Sequence, residues 1–206
     1  MKNKYKLMAG AVAVLVGISA SVQATSINGS VTFGGAVTLA NNGTVQSVIQ
    51  GANEVYAWSG GLVGGANPYV SSASGNLGVN TGITSVTFSS PWFFGSGLTA
   101  LWSYVGADGD TFTFNLASSS PAVITGSGNS AVLAVTGIGT ITATGPVAFT
   151  ATVGSWAFNT QNPSAGSPAT FSFSAATGAV PDGGSTVMLL GAAMSGFAFL
   201  RKKLMA

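Results

Sequence analysis

The sequence predicts an all-β passenger domain, a β-sandwich or jelly-roll-like fold, flanked by an N-terminal signal helix and a C-terminal hydrophobic helix. Side chains alternate with a period of two, most clearly over Thr111–Leu116, and this is the period of a half-buried strand. Pairs such as Asn28-Gly29 and Asn42-Gly43 interrupt these runs, and turns about every 8 to 12 residues are typical of a β-sandwich. A third observation, one apolar run at each end of the chain, predicts the flanking helices.

These patterns divide the chain into five consecutive segments. They are a signal peptide at residues 1–24, a β-rich extracellular passenger domain at 25–176, a linker with a sorting motif at 177–186, a transmembrane segment at 187–200 and a basic cytoplasmic tail at 201–206.

The first segment has the three parts of a secretory signal peptide. Lys2, Lys4 and Lys6 form its positive start, Leu7–Ala20 is apolar, and small residues precede the cleavage predicted after Ala24. The apolar run is shorter than the roughly 20 residues of a membrane-spanning helix, which favours removal over a permanent anchor. The Sec translocon and signal peptidase are therefore expected partners.

The passenger is predicted from its alternation to consist of short strands, and its aromatic residues are expected to form the core. The predicted strands are Val31–Leu39, Val45–Ile49, Val55–Trp58, Ile83–Phe88, Leu98–Tyr104, Thr111–Leu116, Ala131–Val135, Thr140–Thr144, Val147–Val153, Trp156–Phe158 and Thr170–Ser174. The predicted core residues are Phe33, Trp58, Phe88, Trp92, Trp102, Phe112, Phe114, Phe149, Trp156, Phe158, Phe171 and Phe173.

The composition leaves few groups for chemistry. The chain is 47% hydrophobic and 5% charged, and it contains neither Cys nor His. Disulfides, thiolate metal sites and the commonest general base are therefore excluded. All basic residues lie in the two terminal segments, so the folded part lacks the positive surface that nucleic acid requires. We predict that the protein is not an enzyme, carries no cofactor and binds no nucleic acid.

The C-terminal segments have three parts in a fixed order. Val180-Pro181-Asp182-Gly183-Gly184 is a short motif, Val187–Leu200 is apolar, and Arg201-Lys202-Lys203 is a basic stop. Proline and paired glycines disfavour helix and strand, so the motif is expected to be extended and open to an enzyme. The basic stop stays cytoplasmic by the positive-inside rule, as does the N-terminal lysine cluster, and the passenger between them is then outside.

This tail resembles the PEP-CTERM class of sorting signals, and within it the VPDSG variant, from whose serine-glycine order it differs at Gly183-Gly184. The resemblance covers residues 180–206 only. It implies recognition by an exosortase, a membrane transpeptidase with a cysteine nucleophile. It also implies delivery of the passenger to the outer surface or exopolysaccharide of a Gram-negative bacterium, with Val180 to Gly184 as the recognition motif.

Three acidic residues are the passenger's candidates for chemistry. Asp108 and Asp110 are weak candidates for calcium ligands, because oxygen ligands are there but about six are needed; a solvated hairpin turn between Tyr104 and Thr111 is favoured. Glu54 with either aspartate could supply the two carboxylates of a glycosidase, although nothing in the spacing brings them together.

Aromatic side chains are the candidates for sugar stacking, with a place in the core as the default. Trp92 is the best candidate for an exposed ring because it follows a proline and precedes a glycine loop. The sequence thus predicts an exported cell-surface or extracellular-matrix protein, tethered to the inner membrane before processing, with a structural or adhesive passenger. The alternative is a carbohydrate-binding module whose partner is extracellular polysaccharide.

Overall fold

The computed structural model describes residues 24–61, 66–79, 84–161 and 169–177, the last stretch by its backbone, and the predicted β class is confirmed. The predicted N-terminal signal helix and C-terminal hydrophobic helix lie outside these residues. The strands are β1 (Thr25–Ser26), β2 (Gly29–Asn41), β3 (Thr44–Val45), β4 (Glu54–Ser59), β5 (Tyr69–Ala73), β6 (Thr84–Ser85), β7 (Thr87–Phe88), β8 (Trp92–Phe93), β9 (Leu98–Val105), β10 (Thr111–Ser119), β11 (Val123–Thr125), β12 (Val132–Thr144), β13 (Phe149–Thr150), β14 (Thr152–Gln161) and β15 (Ala169–Thr177).

One curled sheet holds most of these strands. Its order is β6-β5-β2-β15-β14-β12-β10-β9-β7, with β3, β4, β8 and β11 paired to its side. The strands at its two ends, β6 and β7, are separated in the chain by Val86 alone. The hydrogen-bonded ladder therefore begins and ends at the same place in the chain, which requires the sheet to curl around its own inner face.

This architecture differs from the two facing sheets of the expected sandwich. The long strand β2 pairs with β15 along one side, and with two strands in succession along the other. Its partner changes from β5 to β4 at Gly35, which lies between the pairs Gly34–Tyr69 and Ala36–Ser59. Glycines in mid-strand allow such bends, so the sheet continues where a sandwich would have broken into two.

Aromatic rings fill the inside of the curl. Phe33 lies 5.0 Å from Trp102 and 5.4 Å from Phe88, measured between ring centroids. A second group surrounds Trp92, whose ring centroid is 5.0 Å from that of Trp156 and 5.5 Å from that of Phe158. Most of the predicted core is confirmed as buried, namely Phe33, Phe88, Trp92, Trp102, Phe112, Phe114, Trp156 and Phe158, while Trp58 and Phe149 are partly buried and pack against it. The structure describes Phe171 and Phe173 by their backbone only.

The two strands predicted at Ala131–Val135 and Thr140–Thr144 are one strand, β12. The strand runs through Gly137 and Gly139. Rings from neighbouring strands lie against the backbone of these two residues and occupy the space that a side chain would need. A Cβ atom at Gly137 would be 2.7 Å from Trp156 Nε1, and one at Gly139 would be 2.5 Å from the tip of the Phe114 ring. The Thr-Gly repeat is thus a strand whose missing side chains make room for aromatic ones.

Several short elements differ from the sequence prediction. The strand expected at Val45–Ile49 ends at Val45, and the one expected at Val147–Val153 is interrupted at Ala151. Strands β1, β5, β8 and β11 are not among the predicted strands, because their residues do not alternate over a long enough run. Asn42-Gly43 forms the expected hairpin turn, whereas Asn28-Gly29 instead joins β1 to β2, two strands that do not pair with each other.

Tyr104 makes the stability of the folded chain sensitive to alkaline pH. Its phenol donates a hydrogen bond to the Leu77 carbonyl oxygen at 2.7 Å, and burial raises the pKa of Tyr104 above its usual value of about 10. The unfolded chain therefore loses this proton at a lower pH than the folded chain, so the stabilisation is complete below about pH 10 and is lost as the pH rises further.

We expect the free energy of unfolding of the unmodified chain to fall more steeply above about pH 10 than that of Tyr104→Phe. At neutral pH the variant should be less stable by about 1 kcal/mol, the value of one hydrogen bond. Urea unfolding at several pH values measures both. Equal pH slopes for the two chains would contradict the assignment.

Candidate functional site

The residues immediately after the predicted signal cleavage are held in a separate two-stranded sheet. Thr25 begins β1, which pairs in parallel with β13, and its N–H donates to the Ala148 carbonyl oxygen at 3.1 Å. The Ile27 N–H donates to the Thr152 hydroxyl oxygen at 2.9 Å. A cut after Ala24 would therefore leave the whole of β1 in the passenger.

The last described strand ends close to the start of the first long one. Strand β15 lies between β14 and β2, and its final residue Thr177 is opposite Gly29 on β2 and Gly154 on β14. Cα atoms of such antiparallel partners are about 4.5 to 5.5 Å apart. The passenger thus begins and ends at the same end of the sheet.

The lengths of the connecting segments limit how far the two predicted processing sites can lie from Gly29 and Thr177. Ala24 is five residues before Gly29, and Val180 is three residues after Thr177. At about 3.3 Å per extended residue, these links span at most about 17 and 10 Å. The predicted signal segment and the predicted sorting tail would therefore join the domain within a few tens of Å of each other.

The sorting residues themselves, Val180 to Gly184 and Arg201 to Lys203, lie outside the described residues, as does Val187–Leu200. Within the described part of the chain, no helix has both the length and the apolar character needed to span a membrane.

The predicted turn between Tyr104 and Thr111 is present, and its two aspartates differ. Asp108 is exposed, whereas Asp110 is buried. Asp110 Oδ1 accepts a hydrogen bond from the Val147 N–H at 3.0 Å, and its carbonyl oxygen accepts one from Gly106 at 2.8 Å. Asp110 thus ties the β9–β10 hairpin to the loop between β12 and β13. Among the described residues, no three His, Cys, Asp or Glu gather as metal ligands.

Glu54 is also a buried carboxylate bound to a turn. It begins β4, is 1% exposed, and its Oε1 accepts a hydrogen bond from the Gly43 N–H. The two aspartates lie elsewhere, at the β9–β10 hairpin, so Glu54 and Asp110 each satisfy a separate turn. Charge-assisted hydrogen bonds of this kind to backbone N–H groups stabilise turns by about 1.5 to 3 kcal/mol.

The expectation that Trp92 is exposed is wrong. Trp92 pairs with Val55 across β4 and β8 and is fully buried among aromatic rings. The side chain that points outward from β8 is the next one, Phe93, which is 42% exposed. Successive residues of a strand face opposite sides, and nothing in the run Trp92-Phe93-Phe94 indicates which side is the core.

Tyr56, on the neighbouring strand β4, is a second exposed aromatic ring. It is 48% exposed and is the extra residue of an irregularity in β4, where Thr38 pairs with Ala57 and Leu39 with Val55. Bulges of this kind turn a side chain to a new direction. Phe93 is opposite Glu54, two residues before Tyr56 on β4, so both exposed rings belong to the β4–β8 pair.

Comparison with known proteins finds one family, at the C-terminus. A family model described as the VPDSG-CTERM motif matches residues 179–204, which include Val180 to Gly184 and the basic triplet. No curated protein and no solved structure matches the chain. The matched residues contain the motif, apolar run and basic stop found in the sequence. Residues 179–204 of this chain are therefore a VPDSG-CTERM motif, a sorting signal of the PEP-CTERM type.

Proposed function

We propose that the protein is an exported structural or adhesive component of the envelope or extracellular matrix of a Gram-negative bacterium. Its precursor leaves through the Sec translocon and signal peptidase, stays tethered to the inner membrane by residues 187–200, and is processed at its sorting motif by an exosortase-type transpeptidase. The passenger carries out no catalysis and needs no cofactor.

The single observation that best supports this order of events is the pairing of Gly29 with Thr177. Because the passenger starts and finishes at one end of its sheet, it can fold while both flanking segments are still in the same membrane. A domain whose ends emerged on opposite sides would have to wait for the first cleavage.

The surface of the passenger supports a role in packing against other material. Its two buried carboxylates, Glu54 and Asp110, are bound to turns, and Asp108 is the exposed one. On the outer face of β12 and β14, Ile138 is 55% and Val153 is 69% exposed. An uncharged face with exposed aliphatic groups can approach a matrix without electrostatic repulsion.

The mass of the cell-associated protein tests the processing. We expect both ends to be missing, the first up to Ala24 and the second from within Val180 to Gly184, because each cut releases a membrane segment. Intact protein mass spectrometry of membrane and matrix fractions measures this. A mature chain that keeps Arg201 to Lys203 would identify a simple membrane anchor instead, and unchanged cell aggregation after gene deletion would remove the adhesive role.

Carbohydrate binding is the second candidate, and the exposed rings of Tyr56 and Phe93 favour it. Two exposed aromatic rings on the β4–β8 pair offer apolar area to sugar rings, with the Tyr56 hydroxyl as a polar group. Tyr56 and Phe93 therefore replace the buried Trp92 as the candidate sugar-binding residues.

Retention of the protein on the producing cell's surface polysaccharide distinguishes the two roles. Tyr56→Ala and Phe93→Ala should each weaken binding if the rings stack on sugar, while Val153→Ala on β14 is the matched exposed control. Equal retention of all three variants would count against carbohydrate binding and leave the structural role.

A further inference from the structure

We propose that the Asn42-Gly43 turn is a site of spontaneous covalent modification, in which the Gly43 nitrogen attacks the side-chain amide of Asn42 and Glu54 acts as the base. The turn joins β2 to β3 and is exposed. Gly43 offers little steric hindrance because it has no Cβ atom. The product carries a carboxylate at position 42, so the passenger gains one negative charge.

The proposed base, Glu54, is hydrogen-bonded to the attacking nitrogen of Gly43. The Gly43 N–H donates to Glu54 Oε1 at 2.5 Å, and Glu54 is held in place by its pairing with Ala40 on β2 and Phe93 on β8. A base within hydrogen-bond distance of the proton it removes meets the first geometric requirement of general-base catalysis. Burial at 1% exposure keeps this carboxylate directed at the turn.

The group under attack is also prepared. Asn53 Nδ2 donates to Asn42 Oδ1 at 3.1 Å, and Asn53 Oδ1 accepts from the Asn42 backbone N–H at 3.1 Å. A donor on the amide oxygen stabilises the negative charge that develops there when the nitrogen adds to the carbonyl carbon. The departing Asn42 Nδ2 donates to Asn41 Oδ1 at 3.0 Å.

The reaction balances with water as its only co-reactant. The proton of Gly43 N moves to Glu54, the bond from Gly43 N to Asn42 Cγ forms, and the bond from Cγ to Nδ2 breaks. Glu54 returns the proton to the departing amine, which leaves as ammonia. Water then opens the resulting succinimide at either carbonyl, which gives aspartate or isoaspartate at position 42.

Asn28-Gly29, the other Asn-Gly pair of the chain, is an internal reference. Asn28 is likewise exposed, and its backbone N–H likewise donates to an amide oxygen, Asn76 Oδ1, at 2.9 Å. The difference lies in the carboxylate, because Glu54 contacts Gly43, whereas the passenger's other two carboxylates, Asp108 and Asp110, lie at the β9–β10 hairpin. In the purified full-length chain incubated near neutral pH, we expect conversion at position 42 to be several-fold faster than at position 28. Glu54→Gln should slow position 42 by about tenfold or more and leave position 28 unchanged.

Peptide mapping by mass spectrometry, with isoaspartate separated from aspartate, measures both positions in one sample. If Glu54→Gln does not fold, the unmodified chain in denaturant decides, because the two rates should then become similar. Position 42 reacting no faster than position 28 in the folded chain overturns the proposal, and so does an unchanged rate in folded Glu54→Gln.

Discussion

Replacing Pro181 and Asp182 together by alanine is expected to leave the sorting tail attached and to keep the protein in the inner membrane. Proline disfavours helix in the motif, and alanine would allow the helix predicted at Val187–Leu200 to extend towards the passenger. Asp182 is the single charge of the motif, and loss of a charged partner in a recognition site costs about 2 to 5 kcal/mol, or more than about tenfold in binding. We expect the unprocessed precursor to become the main species.

The measurement is the ratio of precursor to processed chain in membrane and surface fractions of the producing cell. Asp108→Asn is the matched control, because it removes an exposed carboxylate from the passenger and should process normally. Asp182→Asn separates charge from shape and should give an intermediate ratio. Normal processing of the double variant would show that the tail is read through its apolar run and basic stop alone.

The tail could be predicted from the sequence because its information is linear. Motif, apolar run and basic stop follow each other directly, and the family match to residues 179–204 confirms them. The class of the passenger was equally accessible, since Thr111–Leu116 alternates as a half-buried strand must and lies within β10. Both predictions rest on neighbours in the chain.

The features that could not be predicted depend on residues far apart in the sequence. The curl of the sheet is completed when β6 and β7 pair with β5 and β9, and no local pattern indicates those partners. The glycines of β12 belong to a low-complexity repeat in the sequence, and their role becomes clear only from the rings of Trp156 and Phe114 that pack against them. The exposure of Tyr56 depends on a register shift against β2, which the sequence of β4 alone does not contain.

Trp102→Ala should be the most destabilising single substitution in the passenger, with a loss of about 3 to 5 kcal/mol in the free energy of unfolding. Trp102 is fully buried at the centre of the first aromatic group, where its ring stacks on Phe114 at 5.4 Å and also contacts Phe33 and Tyr104. Small domains have about 5 to 15 kcal/mol in total, so this one substitution should remove a large fraction of the stability and lower the urea midpoint clearly.

Trp102→Phe is the informative partner of this variant. Among the described residues the Trp102 indole N–H has no hydrogen-bond partner, and a buried donor without one costs about 1 to 3 kcal/mol. Phenylalanine keeps an aromatic ring beside Phe33 and Phe114 and removes that donor, so the lost ring volume and the relieved N–H act in opposite directions. We therefore expect a net loss of less than about 1.5 kcal/mol, measured as the urea midpoint of the full-length chain. Equal losses for alanine and phenylalanine would contradict the expectation that an aromatic ring at this position is enough to hold this part of the core together.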